Sequence, residues 1–177
     1  MKAAWQRLLI LIGPYPWAAA IGRRTAHADA LLRRWSRGRI GLISVHGMTP
    51  FLLTTTGRTS GLPRTSALLC VLDGPDLIVA GSNFGRPHHP HWSANLVACP
   101  AARVQIRGVA HRARACLVTD TAEHHRLWTL LVAACPTYDT YAARTPRRIR
   151  IFRLSPVSNR ATRSTCCPKP DHPATSD

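Results

Sequence analysis

An antiparallel β-barrel with flanking helices, mainly β in an α+β sense, is the fold this 177-residue sequence predicts. Three observations carry it. Short apolar runs rich in Val, Ile, Leu and Thr follow one another from residue 40 to residue 118, joined by turn-like connections. One connection, Asp73-Gly74-Pro75, sets an Asp-Gly pair between two apolar runs, which is a strong hairpin signal. Only two helical patterns interrupt the strands, too few for the alternating β-α units of a doubly wound sheet.

Residues 1–24 hold Trp5, an apolar run at 8–12, then Gly13, Pro14 and Pro16. The run is too short to span a bilayer, which takes about 20 apolar residues. It has the basic flank and apolar centre of a signal peptide, but the prolines interrupt it and no small-residue cleavage site follows directly. Trp5, Leu8, Leu9 and Ile12 share one helical face, so a short amphipathic helix at a membrane interface fits better. Thr25 can cap a second helix over 25–38, where Leu31, Leu32 and Trp35 recur at helical spacing. Its Arg33, Arg34 and Arg37 form either a solvated face or a contact with anionic headgroups.

Strands are expected at 40–45, 51–56, 65–72, 77–81, 103–106, 109–118 and 149–154, and helices at 90–98 and 121–135. Asp120, with Glu123 three residues on, gives the second of these helices a capping-box start. From Pro156 onward Ser, Thr, Pro and Asp dominate, which reads as a disordered tail. The chain therefore divides into a basic helical segment at 1–38, a barrel domain at 39–155 and a tail at 156–177.

Charge narrows the partners. Against 24 Lys and Arg stand 8 Asp and Glu, a net charge of +16 that favours nucleic acid, anionic lipid or an anionic small molecule. The Arg residues are spread along the chain, and no basic arm, zinc-finger or RNP-like motif appears, so nucleic acid is not expected. The six Cys, at 70, 99, 116, 135, 166 and 167, contain no C-x-x-C pair. The first four lie in apolar stretches and read as small buried hydrophobes. The vicinal Cys166 and Cys167 belong to the tail.

Three segments offer chemistry. The first, FLLTTTGRTSGLPR at 51–64, is a Thr-rich strand running into a loop with two Gly, one Pro and two Arg. Backbone N–H groups at such a turn can face an anion, and Arg58 and Arg64 can grip it bidentately, with Ser60 and Gly61 beside them. No Gly-Lys-Ser/Thr ends the loop, so it is not a Walker A site. The second segment runs from Ala80-Gly81-Ser82 through Phe84 to Trp92 and Asn95. Small residues at a strand end admit a flat ring, and Trp92 is either core or a wall for it. Three His within it, at 88, 89 and 91, lack a nearby carboxylate or Cys, and no metal is expected. In the third segment, PTYDTY at 136–141, Tyr138 and Tyr141 are three apart and share a helical face. A neutral phenol can donate to a developing oxyanion. Neither a G-x-S-x-G nucleophile nor a G-x-G-x-x-G dinucleotide turn is present.

Taken together, LLTTTGRTSGLPR at 52–64, the turn at 73–74, AGS at 80–82, HPHWSANL at 89–96, CPAARVQ at 99–105 and PTYDTYAART at 136–145 resemble the deazaflavin-dependent nitroreductase family. The resemblance runs in order from about residue 38 to residue 154. It implies an actinobacterial split β-barrel of the FMN-binding type, using reduced deazaflavin coenzyme F-420 as an oxidoreductase. By the same resemblance, Arg58, Ser60, Gly61 and Arg64 hold the cofactor's phosphate and acidic tail. Ala80, Gly81, Ser82, Trp92 and Asn95 line its ring, and Ser82, Tyr138 and Tyr141 act on the substrate. Two positions depart from the family pattern: Thr59 stands where a Lys often follows the first Arg, and Cys135 where some members have a Tyr. The implied acceptor is a quinone or nitroaromatic, the implied assembly a homodimer. The expected location is the cytoplasm, with the N-terminal segment at the inner face of the plasma membrane. An FMN-binding reductase on the same barrel, or a non-enzymatic binder of anionic lipid or nucleic acid, is the alternative.

Overall fold

The computed structural model describes residues 47–157, and the expected helices before residue 39, the strand at 40–45 and the tail from 158 lie outside them. Six strands form a closed antiparallel barrel: β1 (Thr49–Thr56), β2 (Pro63–Asp73), β3 (Asp76–Ala80), β4 (Ala101–Ile106), β5 (Val109–Leu117) and β6 (Ile151–Pro156). Around the barrel their order is β1-β2-β3-β6-β5-β4. Three helices are added, α1 (His91–Ala98), α2 (Thr121–Ala134) and α3 (Thr137–Ala143). The barrel and six of the seven expected strands are thus present, with no end shifted by more than two residues.

Period-two alternation divides the apolar residues between two cores. Phe51, Leu53, Cys70, Val79, Val104, Ala113, Phe152 and Leu154 form the interior cluster, which also takes Trp92 and Leu96 from α1. The neighbours on the opposite face of β3, Ile78 and Ala80, pack instead with Leu127 and Leu131 of α2, Tyr138 of α3, and Ile149 and Ile151. β3 is therefore covered on both faces, which is why it reads as a continuous apolar run rather than an alternating one.

α2 begins where the sequence places it. Asp120 accepts from the Glu123 N–H at 2.8 Å. Only half of a capping box forms, because the Glu123 carboxylate pairs with Arg126 at 2.7 Å and with Arg153. Asp73 and Asp76, at the two ends of the β2–β3 turn, join the same network through Arg126 and Arg153. Two arginines thereby tie the first turn of α2 to the hairpin and to β6. Of the four described cysteines, Cys70 is buried, donates to the Thr49 carbonyl at 3.3 Å, and has its pKa pushed up by burial to about 12. Cys116 is exposed, contrary to the sequence expectation: β5 alternates, and its position falls on the outer face between inward Ala115 and the half-buried Leu117.

Candidate functional site

α1 brings two of the three chemical segments together. At its start, Pro90 lies against Gly81, where an added methyl would meet the ring at 3.5 Å. One and a half turns on, Asn95 is 4% exposed and uses both ends of its amide. Its Oδ1 accepts from the Arg58 N–H at 3.1 Å, and its Nδ2 donates to Thr55 Oγ1 at 3.1 Å. Five residues of helix rise roughly 7–8 Å, which sets the spacing between the cationic loop and the small-residue strand end.

The loop at 57–62 closes on itself. Gly57 N–H donates to Leu62 O, Gly61 N–H to Gly57 O, and Leu62 N–H to Ser60 Oγ. With the bond to Asn95, these contacts take up the N–H groups of Gly57, Arg58, Gly61 and Leu62. Turn closure and Asn95 thus use four of the donors that the expected backbone cradle could have offered. Gly57 likewise serves the loop, since a methyl there would lie 2.6 Å from Ser60 Oγ and 3.2 Å from Leu62 O. The loop also offers an anion side-chain chemistry: Arg58, Thr59, Ser60 and Arg64 are all exposed, and Arg64 Nη2 reaches Ser60 Oγ at 3.5 Å.

After β3 the chain makes a turn at Asn83–Gly85 with three consecutive left-handed residues, Asn83 (φ 49), Phe84 (φ 56) and Gly85 (φ 75). Two of them carry side chains, each at a cost on the order of 1–2 kcal/mol. Tertiary contacts hold the strain. Asn83 Nδ2 donates to His88 O at 2.9 Å, and a methyl on Gly85 would lie 2.8 Å from both Tyr141 O and Arg144 Cβ. Phe84 meets Tyr141 edge-on at 5.8 Å, and Tyr141 meets Tyr138 at 6.3 Å. The third segment is thereby placed on the same turn as Ser82.

Not every expected residue presents itself to a ligand. Ser82 and Tyr141 are half-buried, and Arg58, Ser60, Gly61 and Arg64 are exposed. Ala80 faces α2 and α3, and Tyr138 is 8% exposed within that same cluster. Trp92 is 7% exposed and packs edge-on against Phe152 at 5.8 Å inside the barrel. Of the two readings of Trp92, the structure gives the core one. Trp92 and Asn95 do share a face, but it is the face that α1 turns inward. Burial raises the pKa of Tyr138 and of Tyr141, with Cys135 adding to each, so both phenols stay protonated at neutral pH.

Arg147 is the residue the sequence reading missed. Its guanidinium donates to Arg86 O at 2.9 Å, Gly81 O at 3.1 Å and Ser82 O at 2.7 Å, and meets His89 Nδ1 at 3.1 Å. The available signal was the basic stretch Arg147-Arg148-Ile149-Arg150, which charge alone does not distinguish from a solvated one.

Comparison with known proteins bears on this geometry. The family described as F420H(2)-dependent quinone reductase matches residues 24–156. An F420H(2)-dependent quinone reductase of Mycobacterium tuberculosis is 31% identical over 138 residues, covering 76% of this chain and 92% of that protein. Among solved structures, an F420-H2 dependent reductase superposes with a TM-score of 0.54 at 30% identity, over 64% of this chain and 99% of its own. Another, described as a domain-swapped dimer, gives a TM-score of 0.57 at 28% identity, over 71% of this chain and 94% of its own.

Proposed function

Because the chain belongs to the F420H(2)-dependent quinone reductase family, an oxidoreductase family whose cofactor is reduced coenzyme F-420, we propose how its own residues serve that reaction. Arg58, Ser60 and Arg64 hold the phosphate and carboxylates of the cofactor, with Gly61 turning the loop beside them. Gly81 and Ser82 face the deazaflavin ring. Ala80, Trp92 and Asn95 support the site from within the packing. The observation that carries this reading is α1, which packs its start on Gly81 through Pro90 and holds the exposed cationic loop through Asn95.

The donor set suits such a ligand: two guanidiniums and two hydroxyls at one end, small residues and aromatic edges at the other. When bound, the reduced deazaflavin supplies the hydride. The protein orients donor and acceptor and keeps water away from them. Ser82 and Tyr141 donate hydrogen bonds to the acceptor oxygen as it gains negative charge, and buried Tyr138 holds Tyr141 in place. A quinone-like acceptor suits these hydroxyls, and a nitroaromatic presents oxygens to the same donors.

The N-terminal segment at 1–38 gives peripheral contact with an anionic membrane, a reading supported by its apolar face and flanking arginines. No helix among the described residues is long and apolar enough to cross a membrane. Likeness to the chain described as a domain-swapped dimer supports a homodimer, which light scattering would read as twice 19.5 kDa.

Titration with oxidised coenzyme F-420, and separately with FMN, tests the cofactor reading through tryptophan fluorescence. Saturable quenching by the deazaflavin, weakened in Arg58→Ala, is the expected result. Quenching by FMN alone moves the protein to a flavin-dependent chemistry. Binding of neither, with binding of anionic vesicles, leaves a non-enzymatic lipid binder.

A further inference from the structure

We infer that Arg147 is the positioning residue of the cofactor-facing turn, and that His89 makes its hold on that turn depend on a proton. The inference rests on the reading above, in which Gly81 and Ser82 face the ring. Three carbonyls, of Gly81, Ser82 and Arg86, converge on one guanidinium. Without a cation between them these dipoles repel, and the turn at 83–85, closed by its own Gly85 N–H to Ser82 O and Arg86 N–H to Asn83 O bonds, loses the brace that holds its two ends. Only a planar fork with several donors satisfies three carbonyls and an imidazole at once, so Lys is not equivalent here.

The fourth partner sets the pH dependence. Arg147 is always a donor, so His89 Nδ1 accepts from it and carries no proton. Protonation turns that acceptor into a second donor facing a cation. The two guanidiniums that act on His89 press the same way. Arg147 and Arg150 approach from the segment before β6, and Arg86, His88 and His91 flank His89 in its own stretch of chain. Burial, then Arg150, then Arg147 hold the His89 pKa below its ordinary value. The folded state therefore favours neutral His89. This contribution is complete above the unfolded value of about 6.5 and is lost as pH falls through the lowered folded one.

Two measurements test this on the full chain. The first is the affinity for oxidised coenzyme F-420 across pH 5–8 (a range set about the ordinary histidine value) in the wild type, R147K, R147Q and H89N. The second is the NMR titration of His89 in the ligand-free protein. R147Q should bind on the order of tenfold more weakly, the size of one lost charge-assisted hydrogen bond, with R147K giving partial rescue. Wild-type affinity should fall on the acid side. H89N, whose amide oxygen accepts the same bond without titrating, should flatten that fall. In the ligand-free R147Q protein, His89 should titrate at higher pH than in the wild type.

A wild type that binds while R147Q binds equally well, with the same pH profile, overturns the inference and leaves the cofactor reading standing. An H89N variant that keeps the acid loss overturns the proton dependence. A wild type that binds no deazaflavin overturns the cofactor reading, and the positioning role with it. The ligand-free titration then reports whether Arg147 engages His89 regardless.

Discussion

Asn95 joins the cationic loop to β1 and α1, and its removal can be worked through. Its amide carries two bonds of 3.1 Å, one from the Arg58 N–H and one to Thr55 Oγ1. Asn95 is 4% exposed and Thr55 2% exposed, so water does not readily replace either bond. Asn95→Ala loses about 1 kcal/mol for the bond to Arg58. It also strands the Thr55 hydroxyl, whose remaining contact, to Arg64 O at 3.5 Å, is long. A stranded buried hydroxyl costs about 1–3 kcal/mol, so the total is roughly 2–4 kcal/mol. Thr55→Val removes the hydroxyl in a side chain of similar shape. The double variant should therefore be less destabilised than the sum of the singles, by about 1 kcal/mol or more. Guanidinium denaturation of the four proteins measures this coupling. The same four, titrated with oxidised coenzyme F-420, should show Asn95→Ala weakening affinity, because the bond to Arg58 anchors the cationic loop. Additive single effects would refute the claim that Asn95 and Thr55 act as one bracket. Unchanged affinity in Asn95→Ala would refute the claim that the bracket serves the loop.

Other consequences follow from particular contacts. Gly85→Ala should destabilise by about 1–3 kcal/mol, because φ is +75° and the new methyl would lie 2.8 Å from a backbone oxygen, with thermal melting as the readout. The Asp73 and Glu123 carboxyls are held below their usual pKa first by the hydrogen bond from Arg126, with Arg153 adding to each. Their contribution to stability is present above the unfolded values of about 4 and is lost as pH falls through the lowered folded ones, so Arg153→Met should move the acid limb of unfolding to higher pH. Tyr141→Phe should lower kcat for a quinone by about 10²-fold or more with little change in cofactor affinity, if its phenol donates to the developing oxyanion. Since burial raises both tyrosine pKa values, that donation should persist without loss through neutral and mildly alkaline pH in steady-state assays.

The barrel was legible because its signals are local. Asp73-Gly74 marks a hairpin and Asp120 caps a helix, each within a few positions. The site was legible only in part, because its wiring is not local. Asn95 and Thr55 are 40 residues apart, and Arg147 is separated from Gly81 by 66. No short pattern records such pairs. Trp92 shows the opposite difficulty. Its position next to small residues and His suggests a ligand wall, yet the same indole is what fills the barrel beside Phe152. Periodicity finds the buried face of α1 but does not say what lies beyond it.

Charge distribution links the fold to the chemistry. The ion pairs among the described residues gather at one place, where Asp73, Asp76 and Glu123 meet Arg126 and Arg153. That network uses three carboxylates to pin α2 to the β2–β3 hairpin and leaves the arginines of the loop at 57–64 outside it. Arg147 follows a third course, with its charge turned onto backbone carbonyls rather than carboxylates. These five arginines thus do three kinds of work: structural pairing at the hairpin, internal bracing under the strained turn, and a cationic rim at the loop. Of the three, only the rim is both exposed and outside the carboxylate network. For that reason the net charge of +16 predicts the chemical class of the ligand less well than the placement of Arg58 and Arg64 does. Reversing their charge should abolish cofactor binding while barely moving the folding midpoint. Equal loss of both would mean that the rim belongs to the fold.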